Sequence, residues 1–150
     1  MSKISIYGLR MVKESTAEYK DIPTMVCCQY DAYKAMNTIL HMDERAEEVL
    51  GLMTLNTKNC ITGTFIVSQG NLNNSIVHPR EVFKRALLNN SASIIVAHNH
   101  PSGDISPSNE DLAITKRLVD AGRIIGIPLL DHIIIGQDGE YISLKKEGVC

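Results

Sequence analysis

Two histidines and an aspartate lie close together in the chain, with the residue types and spacing of a metal site. His98 and His100 follow residues 92–96, an apolar segment that predicts a buried strand. Side chains two residues apart at a strand end point to the same side, so both imidazoles can face one point. Asp111 opens a predicted helix, after prolines that turn the chain back. Two nitrogens and a carboxylate oxygen suit Zn²⁺ and leave a fourth position for water, as in catalytic zinc sites.

The same residues also allow an interpretation without metal. Ser108, followed three residues later by Asp111 at the start of an apolar helix, is a capping box. Two histidines at a strand end can also be ordinary polar residues. From the residue types alone, a metal site and a helix cap remain alternatives.

A longer pattern around these residues resembles a known family. His98-Asn99-His100, then seven residues, Ser108, two residues and Asp111 match the His-x-His-x7-Ser-x2-Asp pattern of the JAMM (MPN+, Jab-type) metallopeptidases. The string from His98 to Asp104 is similar to the bacterial RadC branch of that family. The similarity extends to residues 78–83 and 129–136, and covers roughly residues 48 to 148.

The resemblance implies an activity and a site. His98, His100 and Asp111 match the zinc ligands of the family, and Ser108 matches the serine that helps to hold the oxyanion. The implied reaction is hydrolysis of a peptide or isopeptide bond by an activated water. A glutamate on an earlier strand of the family serves as the general base and later protonates the leaving amine. The implied fold is the cytidine-deaminase-like MPN sheet.

The general base is where this sequence departs from the pattern. In related RadC domains the acid lies about five residues before a glycine that aligns with Gly70, and this chain has Phe65 there. No Asp or Glu lies between Glu48 and Glu81. Glu81 could substitute only if its helix faced the metal, and Gln69 could orient a water but not accept its proton. Because loss of a general base costs about 10²–10⁴-fold in rate, metal binding is better supported than turnover.

Composition and charge narrow the possible partners. At 150 residues the chain is long enough to bury a core, and its net charge of −2 argues against a general nucleic-acid surface. A local basic patch and ordinary solvated helix faces are both compatible with Lys84, Arg85, Lys116 and Arg117. A peptide or protein is the expected partner; the resemblance adds nucleic acid or DNA-repair proteins as a weaker expectation. The oligomeric state is left open.

The four cysteines and the first residues favour a cytoplasmic location. Cys27, Cys28, Cys60 and Cys150 form no C-x-x-C pair, and the N-terminal residues lack the apolar core of a secretory signal. Free thiols without an export signal fit a reducing compartment. No apolar run approaches the roughly 20 residues needed to span a bilayer.

The order of predicted elements indicates an α/β fold, a mixed β-sheet flanked by helices. Residues 1–43 are predicted as an N-terminal strand–helix extension, with a strand at 3–13 and a helix capped by Asp31. Residues 44–150 are predicted as one RadC-like MPN/JAMM domain. Its expected elements are strands at 49–55 and 60–67, a loop at 70–75, a helix after His78, a strand at 92–98, a helix at 109–121, and strands at 127–135 and 141–144.

Two further histidines allow two interpretations each. His132 follows Asp131 inside an apolar strand, either as part of a pair that orients a zinc ligand or as a buried core histidine. His78 precedes Pro79 and is either a helix cap or a further ligand.

Three functional hypotheses follow. The first is a JAMM-type zinc metallohydrolase. The second is a zinc-retaining but weakly active or inactive binding module, favoured by the missing acid. The third is a metal-free scaffold in which Ser108 and Asp111 only cap a helix.

Overall fold

A five-stranded sheet with helices on both faces forms the body of the protein. The computed structural model describes residues 1–70 and 77–150. The elements are α1 (Gln29–Leu40), β1 (Val49–Leu55), β2 (Ile61–Gln69), α2 (Pro79–Leu88), β3 (Ser93–Asn99), α3 (Asn109–Ile125), β4 (Leu129–Ile135) and β5 (Tyr141–Ser143). A short 3₁₀ turn, Met42–Glu44, follows α1. The predicted α/β fold with a mixed sheet is confirmed.

The strand order brings the end of β3 to the middle of the sheet. The order is β2-β1-β3-β4-β5, in which β3 and β4 run parallel and the other neighbouring pairs run antiparallel. Helix α3 provides the crossover that two parallel strands require. Ligands of α/β sheets commonly bind outside the carboxyl ends of such strands, and the loop after β3 leaves the sheet there.

Alternate residues of β3 contribute to two separate cores. Ile95 and Ala97 pack with residues of α1, whereas Ile94 and Val96 pack with residues of α2 and α3. By the same alternation His98 lies on the α2/α3 face. If β3 shifted its pairing by one residue, each of these apolar side chains would move to the opposite face of the sheet. The packing of the two cores therefore fixes the register that directs His98 towards α3.

Helix α3 is longer than predicted. It ends at Ile125 rather than near residue 121, and its C-cap is Gly126, whose φ of 84° is the left-handed conformation that favours glycine. Gly122 lies inside the helix, at a point where the backbone that follows the helix passes close to it. A Cβ at Gly122 would lie 2.6 Å from the backbone oxygen of Ile127. This glycine therefore serves a close approach, not a helix end.

The N-terminal segment differs from prediction in two places. Residues 3–13 form no strand, and Ile4 and Leu9 are 87% and 82% exposed. Alternation of apolar residues is not enough for a strand, which also needs a partner for its backbone hydrogen bonds. The predicted cap at Asp31 is also wrong. Cys28 is the N-cap of α1, and the Asp31 carboxylate accepts hydrogen bonds from the backbone N–H groups of Cys27 and Cys28.

Both predicted hairpins are confirmed. β1 and β2 pair antiparallel after a turn at residues 56–60, and β4 pairs with β5 after a turn in which Asp138 and Gly139 both have positive φ. Apart from Gly70, the loop expected at 70–75 lies outside the described residues. Among the helices of the described ranges, none combines the length and the apolar character needed to cross a bilayer.

Candidate metal centre

His98, His100 and Asp111 converge on one point at the end of β3. The Nε2 atoms of the two histidines are 2.8 Å apart. His98 Nε2 lies 3.1 Å from Asp111 Oδ1, and His100 Nε2 lies 3.3 Å from Asp111 Oδ2. A tetrahedral zinc ion with ligands at about 2.0–2.1 Å has ligand–ligand separations of about 3.3 Å. The two imidazole nitrogens and one carboxylate oxygen of Asp111 therefore have the chemistry to hold such an ion, and their separations of 2.8–3.3 Å come close to this value.

Local structure accounts for this convergence. His98 is the penultimate residue of β3, and the backbone N–H of His100 donates to Ile135 O of the parallel strand at 2.8 Å. Asp111 lies in the first turn of α3, where its Oδ2 accepts a hydrogen bond from Ser108 N at 2.8 Å. Ser108 Oγ accepts one from Asp111 N at 3.1 Å. The predicted capping box is thus present, and its carboxylate also faces both histidines.

Each histidine of the centre is held by its other ring nitrogen. His100 Nδ1 lies 2.6 Å from the backbone oxygen of Asp104, which can only accept, so His100 Nδ1 carries the hydrogen. His98 Nδ1 lies 2.7 Å from Nε2 of His132, and Nδ1 of His132 lies 2.6 Å from Thr115 Oγ1. Partners of this kind fix the orientation and tautomer of metal-binding histidines.

His132 contacts His98 through its ring, whereas Asp131 is linked to His132 only by the hydrogen bond that the His132 backbone N–H donates to its carboxylate at 2.7 Å. The orienting contact is therefore made by His132 without Asp131, and His132 is also the buried, hydrogen-bonded core residue of the other interpretation. The Asp131 carboxylate lies on the other face of β4, where it accepts hydrogen bonds from Ser143 Oγ at 2.6 Å and Lys145 N at 3.0 Å. Thr115 was missed in the sequence, although its position four residues after Asp111 places both on one helix face.

The charges of the centre shift three pKa values. A hydrogen bond with Asp111 raises the pKa of His100; partial burial opposes this, and the negative charges of Asp111 and Glu48 add to the rise. Burial raises the pKa of Asp111, but its interactions with His100, His98 and Ser108 N outweigh burial and hold it well below its usual range. Burial, with a contribution from His98, lowers the pKa of His132 well below its ordinary value, which favours the neutral ring.

An acid stands beside the centre, at a position that sequence reasoning missed. The antiparallel register pairs Leu50 of β1 with His98, and continued two residues beyond that pair it brings Glu48 towards His100. The charge of Glu48 contributes to the raised pKa of His100, which agrees with this placement. Glu48 also continues the alternation of Leu52 and Leu50, which places it on the face of His98. The signal in the sequence was this alternation, but the pairing of β1 with β3 is needed to interpret it.

Asn99 holds the backbone on both sides of Glu48. Its Oδ1 accepts a hydrogen bond from Val49 N at 2.7 Å, and its Nδ2 donates to Glu47 O at 3.0 Å. The Asn99 side chain is buried, and the residue lies between the two histidines of the centre. One asparagine thus connects the strand that carries the histidines to the strand that carries the acid.

Phe65 does not occupy the position expected of a general base. It pairs with Leu52 and packs in the core under α2 and α3. Two strand spacings and a two-residue offset separate it from His98, about 12 Å in all. An acid at position 65 would therefore lie two strands away from His98.

The remaining candidates are described by other contacts and by their exposure. His78 caps α2 by accepting a hydrogen bond from Arg80 N at 3.2 Å, as one interpretation predicted. Glu81 is partly exposed and pairs with Lys84 and Arg85, at 2.6 Å and 3.5 Å. Gln69 is exposed at the end of β2, and Lys116 and Arg117 are exposed on α3.

Comparison with known proteins identifies the family. The sequence model of the RadC-like JAB domain matches residues 26–149, a range that includes every element from α1 to β5. The chain belongs to the RadC-like JAB domain family. The residues that converge at the end of β3 therefore form part of a RadC-like JAB domain.

Curated relatives agree with this assignment. A UPF0758 protein of Methanosarcina acetivorans is 54% identical over 123 residues, which are 82% of this chain and 52% of the relative. A UPF0758 protein of Clostridium beijerinckii is 56% identical over 108 residues, or 72% and 47% of the two chains. One from Clostridium acetobutylicum is 61% identical over 103 residues, or 69% and 44%. The chain spans about half the length of these relatives.

Proposed function

We propose that this RadC-like JAB domain is a zinc-dependent metallohydrolase that cleaves peptide or isopeptide bonds. The observation that carries the proposal is the convergence of His98, His100 and Asp111, whose ligand atoms all lie within 4.8 Å of one another. The alternation along β1 places Glu48 on the same face of the sheet. Two imidazoles and one carboxylate favour Zn²⁺ over Mg²⁺ or Ca²⁺, which prefer oxygen ligands. Zinc, when bound, would supply Lewis-acid chemistry and lower the pKa of water.

Glu48 is the proposed general base. Its carboxylate would accept a proton from the attacking water and return it to the leaving amine. The register of β1 with β3 and the effect of Glu48 on the pKa of His100 support this role. Asn99 would keep Glu48 in place through Val49 and Glu47.

Ser108 is the proposed oxyanion donor. Its Oγ accepts from Asp111 N, so its hydroxyl hydrogen can be donated to the oxygen of the carbonyl under attack. The capping box fixes the orientation of this hydroxyl at the start of α3. The resemblance to JAMM peptidases supports a peptide or protein as the substrate.

The two other hypotheses make different predictions. The inactive binding module was favoured by a missing acid at Phe65, and the position of Glu48 removes that reason. The metal-free scaffold is supported by the capping box of Ser108 and Asp111, which needs no ion. Zinc content separates this scaffold from a metal site, and turnover separates the hydrolase from the binding module.

Three preparations test the proposal: the wild type, Glu48→Gln and His100→Ala, each purified without chelator. Zinc content is measured by mass spectrometry and its position by anomalous diffraction. Activity is measured on a fluorogenic peptide library and on a lysine-linked isopeptide. We expect one zinc in the wild type and in Glu48→Gln, none in His100→Ala, and a rate loss of about 10²–10⁴-fold in Glu48→Gln.

The outcomes separate the hypotheses. A wild-type protein that binds no zinc at micromolar concentration would support the scaffold. Zinc without turnover on either substrate class would support the binding module. A Glu48→Gln variant as active as the wild type would remove Glu48 from the mechanism while leaving the metal site in place.

A further inference from the structure

A chain of three hydrogen bonds runs behind His98, on the side away from the metal centre. His98 Nδ1 meets His132 Nε2 at 2.7 Å, and His132 Nδ1 meets Thr115 Oγ1 at 2.6 Å. The Thr115 hydroxyl in turn lies 2.6 Å from the backbone oxygen of Asp111. The chain thus begins at one proposed ligand and ends at the backbone of another.

The direction of every hydrogen bond in this chain follows from its last member. A carbonyl oxygen can only accept, so the single hydrogen of Thr115 is donated to Asp111 O. Thr115 Oγ1 must then accept from His132, which places a hydrogen on His132 Nδ1. A neutral His132 has no hydrogen on Nε2, so this nitrogen accepts from His98. The hydrogen of His98 therefore resides on Nδ1, and the lone pair of its Nε2 faces the centre.

Burial makes the alternatives costly. His132 is 1% exposed, and Thr115 has no exposed surface. A second proton on His132 would place a charge in this interior, which is expensive without a close counter-charge. An opposite tautomer of His132 would leave two hydrogens, or two lone pairs, facing each other along the chain. For the three hydrogen bonds behind His98, one arrangement of hydrogens therefore satisfies every donor and acceptor, and it leaves His98 Nε2 free to bind a metal.

We propose that Thr115 and His132 are positioning residues that hold His98 as the Nδ1–H tautomer, with its Nε2 lone pair directed to the metal. This inference rests on the proposed metal site. His100 obtains the same tautomer by a simpler route, a single hydrogen bond to the backbone oxygen of Asp104. His98 depends instead on two side chains, Thr115 of α3 and His132 of β4, so substitution of residues that are not themselves proposed ligands would alter metal affinity.

Substitution of Thr115 tests this dependence with a matched control. Thr115→Val has nearly the same shape but removes the hydroxyl, so His132 no longer has an acceptor for Nδ1–H. His132 then changes to the Nε2–H tautomer, which donates to His98 Nδ1 and moves the hydrogen of His98 to Nε2. Thr115→Ser keeps the hydroxyl. We expect zinc affinity, measured by competition with a chromophoric chelator, to fall about 10–100-fold in Thr115→Val and to stay within about threefold of the wild type in Thr115→Ser.

Nitrogen NMR of the metal-free protein reads the tautomers without any activity or metal. The chain has five histidines, so the imidazole ¹⁵N signals can be assigned by substitution. We expect Nδ1–H tautomers for His98 and His132 in the wild type and in Thr115→Ser, and a rise of the Nε2–H tautomer of His98 in Thr115→Val. A wild-type His98 protonated on Nε2 alone would overturn the inference, as would unchanged zinc affinity in a folded Thr115→Val.

A second pair of variants keeps the inference testable if Thr115→Val does not fold. His132→Gln retains an acceptor for His98 Nδ1–H, whereas His132→Leu removes it. We expect His132→Gln to bind zinc more tightly than His132→Leu by at least tenfold. Equal affinities would overturn the inference. A protein that binds zinc with these differences but cleaves no peptide would keep the positioning role and refute the proposed hydrolase.

Discussion

Replacement of Asn99 by alanine is the perturbation that most directly tests how the fold positions Glu48. Asn99→Ala removes the hydrogen bonds to Val49 N at 2.7 Å and to Glu47 O at 3.0 Å. Val49 is 1% exposed, so its N–H would lose its partner in the interior, at a cost of about 1–3 kcal/mol. Glu47 is exposed and water can replace its partner, so that loss is about 1 kcal/mol.

These terms predict a free energy of unfolding lowered by about 2–4 kcal/mol, or a Tm lowered by roughly 4–16 °C for a domain of this size. The zinc ligands are not removed, so zinc content should be unchanged. A misplacement of about 1 Å can cost about 10²-fold in rate, so we expect kcat/KM of Asn99→Ala to fall to that extent. The assay is turnover of the fluorogenic peptides by zinc-loaded protein, at a temperature well below the lowered Tm.

Asn89→Ala is the matched control. Asn89 also bridges elements through its side-chain amide, which donates to Thr54 Oγ1 at 2.7 Å and to Thr62 Oγ1 at 3.3 Å, near the opposite end of β1. Its replacement should lower stability but not kcat/KM. If Asn99→Ala retains full activity, or if both variants lose activity equally, Asn99 does not act through Glu48.

Three other predictions concern the pH dependence of zinc binding, the pH dependence of stability and the packing of α3. Asp111 raises the pKa of His100, so protons compete with zinc for His100 Nε2. Zinc affinity should therefore be constant above that pKa and fall about tenfold per pH unit below it. Chelator competition from about pH 5 to 8.5 measures this affinity. In the metal-free protein the same shift stabilises the fold fully below about pH 6.5. That contribution is lost as the pH rises through the raised pKa of His100. The difference in unfolding free energy between wild type and His100→Gln should therefore shrink as the pH rises, and a difference that stays constant would contradict this prediction. Gly122→Ala should lower the free energy of unfolding by about 1–3 kcal/mol, because its Cβ would lie 2.6 Å from Ile127 O. Denaturant unfolding measures this loss, with Ala121→Gly as a control for helix propensity.

Local patterns were sufficient for the proposed ligands and most of the elements. His98 and His100 share a side because strand residues alternate, and Asp111 is brought back by a short loop and a capping box. These relations span 14 residues of continuous chain, from His98 to Asp111. The hairpins and the α2 start were predicted for the same reason, since turn and cap residues act on their immediate neighbours.

Only the tertiary structure decided which residues surround these ligands. Glu48 comes close enough to affect the pKa of His100 because β1 pairs with β3 in a register that places Leu50 opposite His98, and no local pattern contains that register. His132 and Thr115 meet behind His98 because β4 lies parallel to β3 and α3 crosses between them. The strand predicted at residues 3–13 does not form, because a local pattern cannot supply a neighbouring strand. Its alternation was present, but a strand forms only where another backbone accepts its hydrogen bonds.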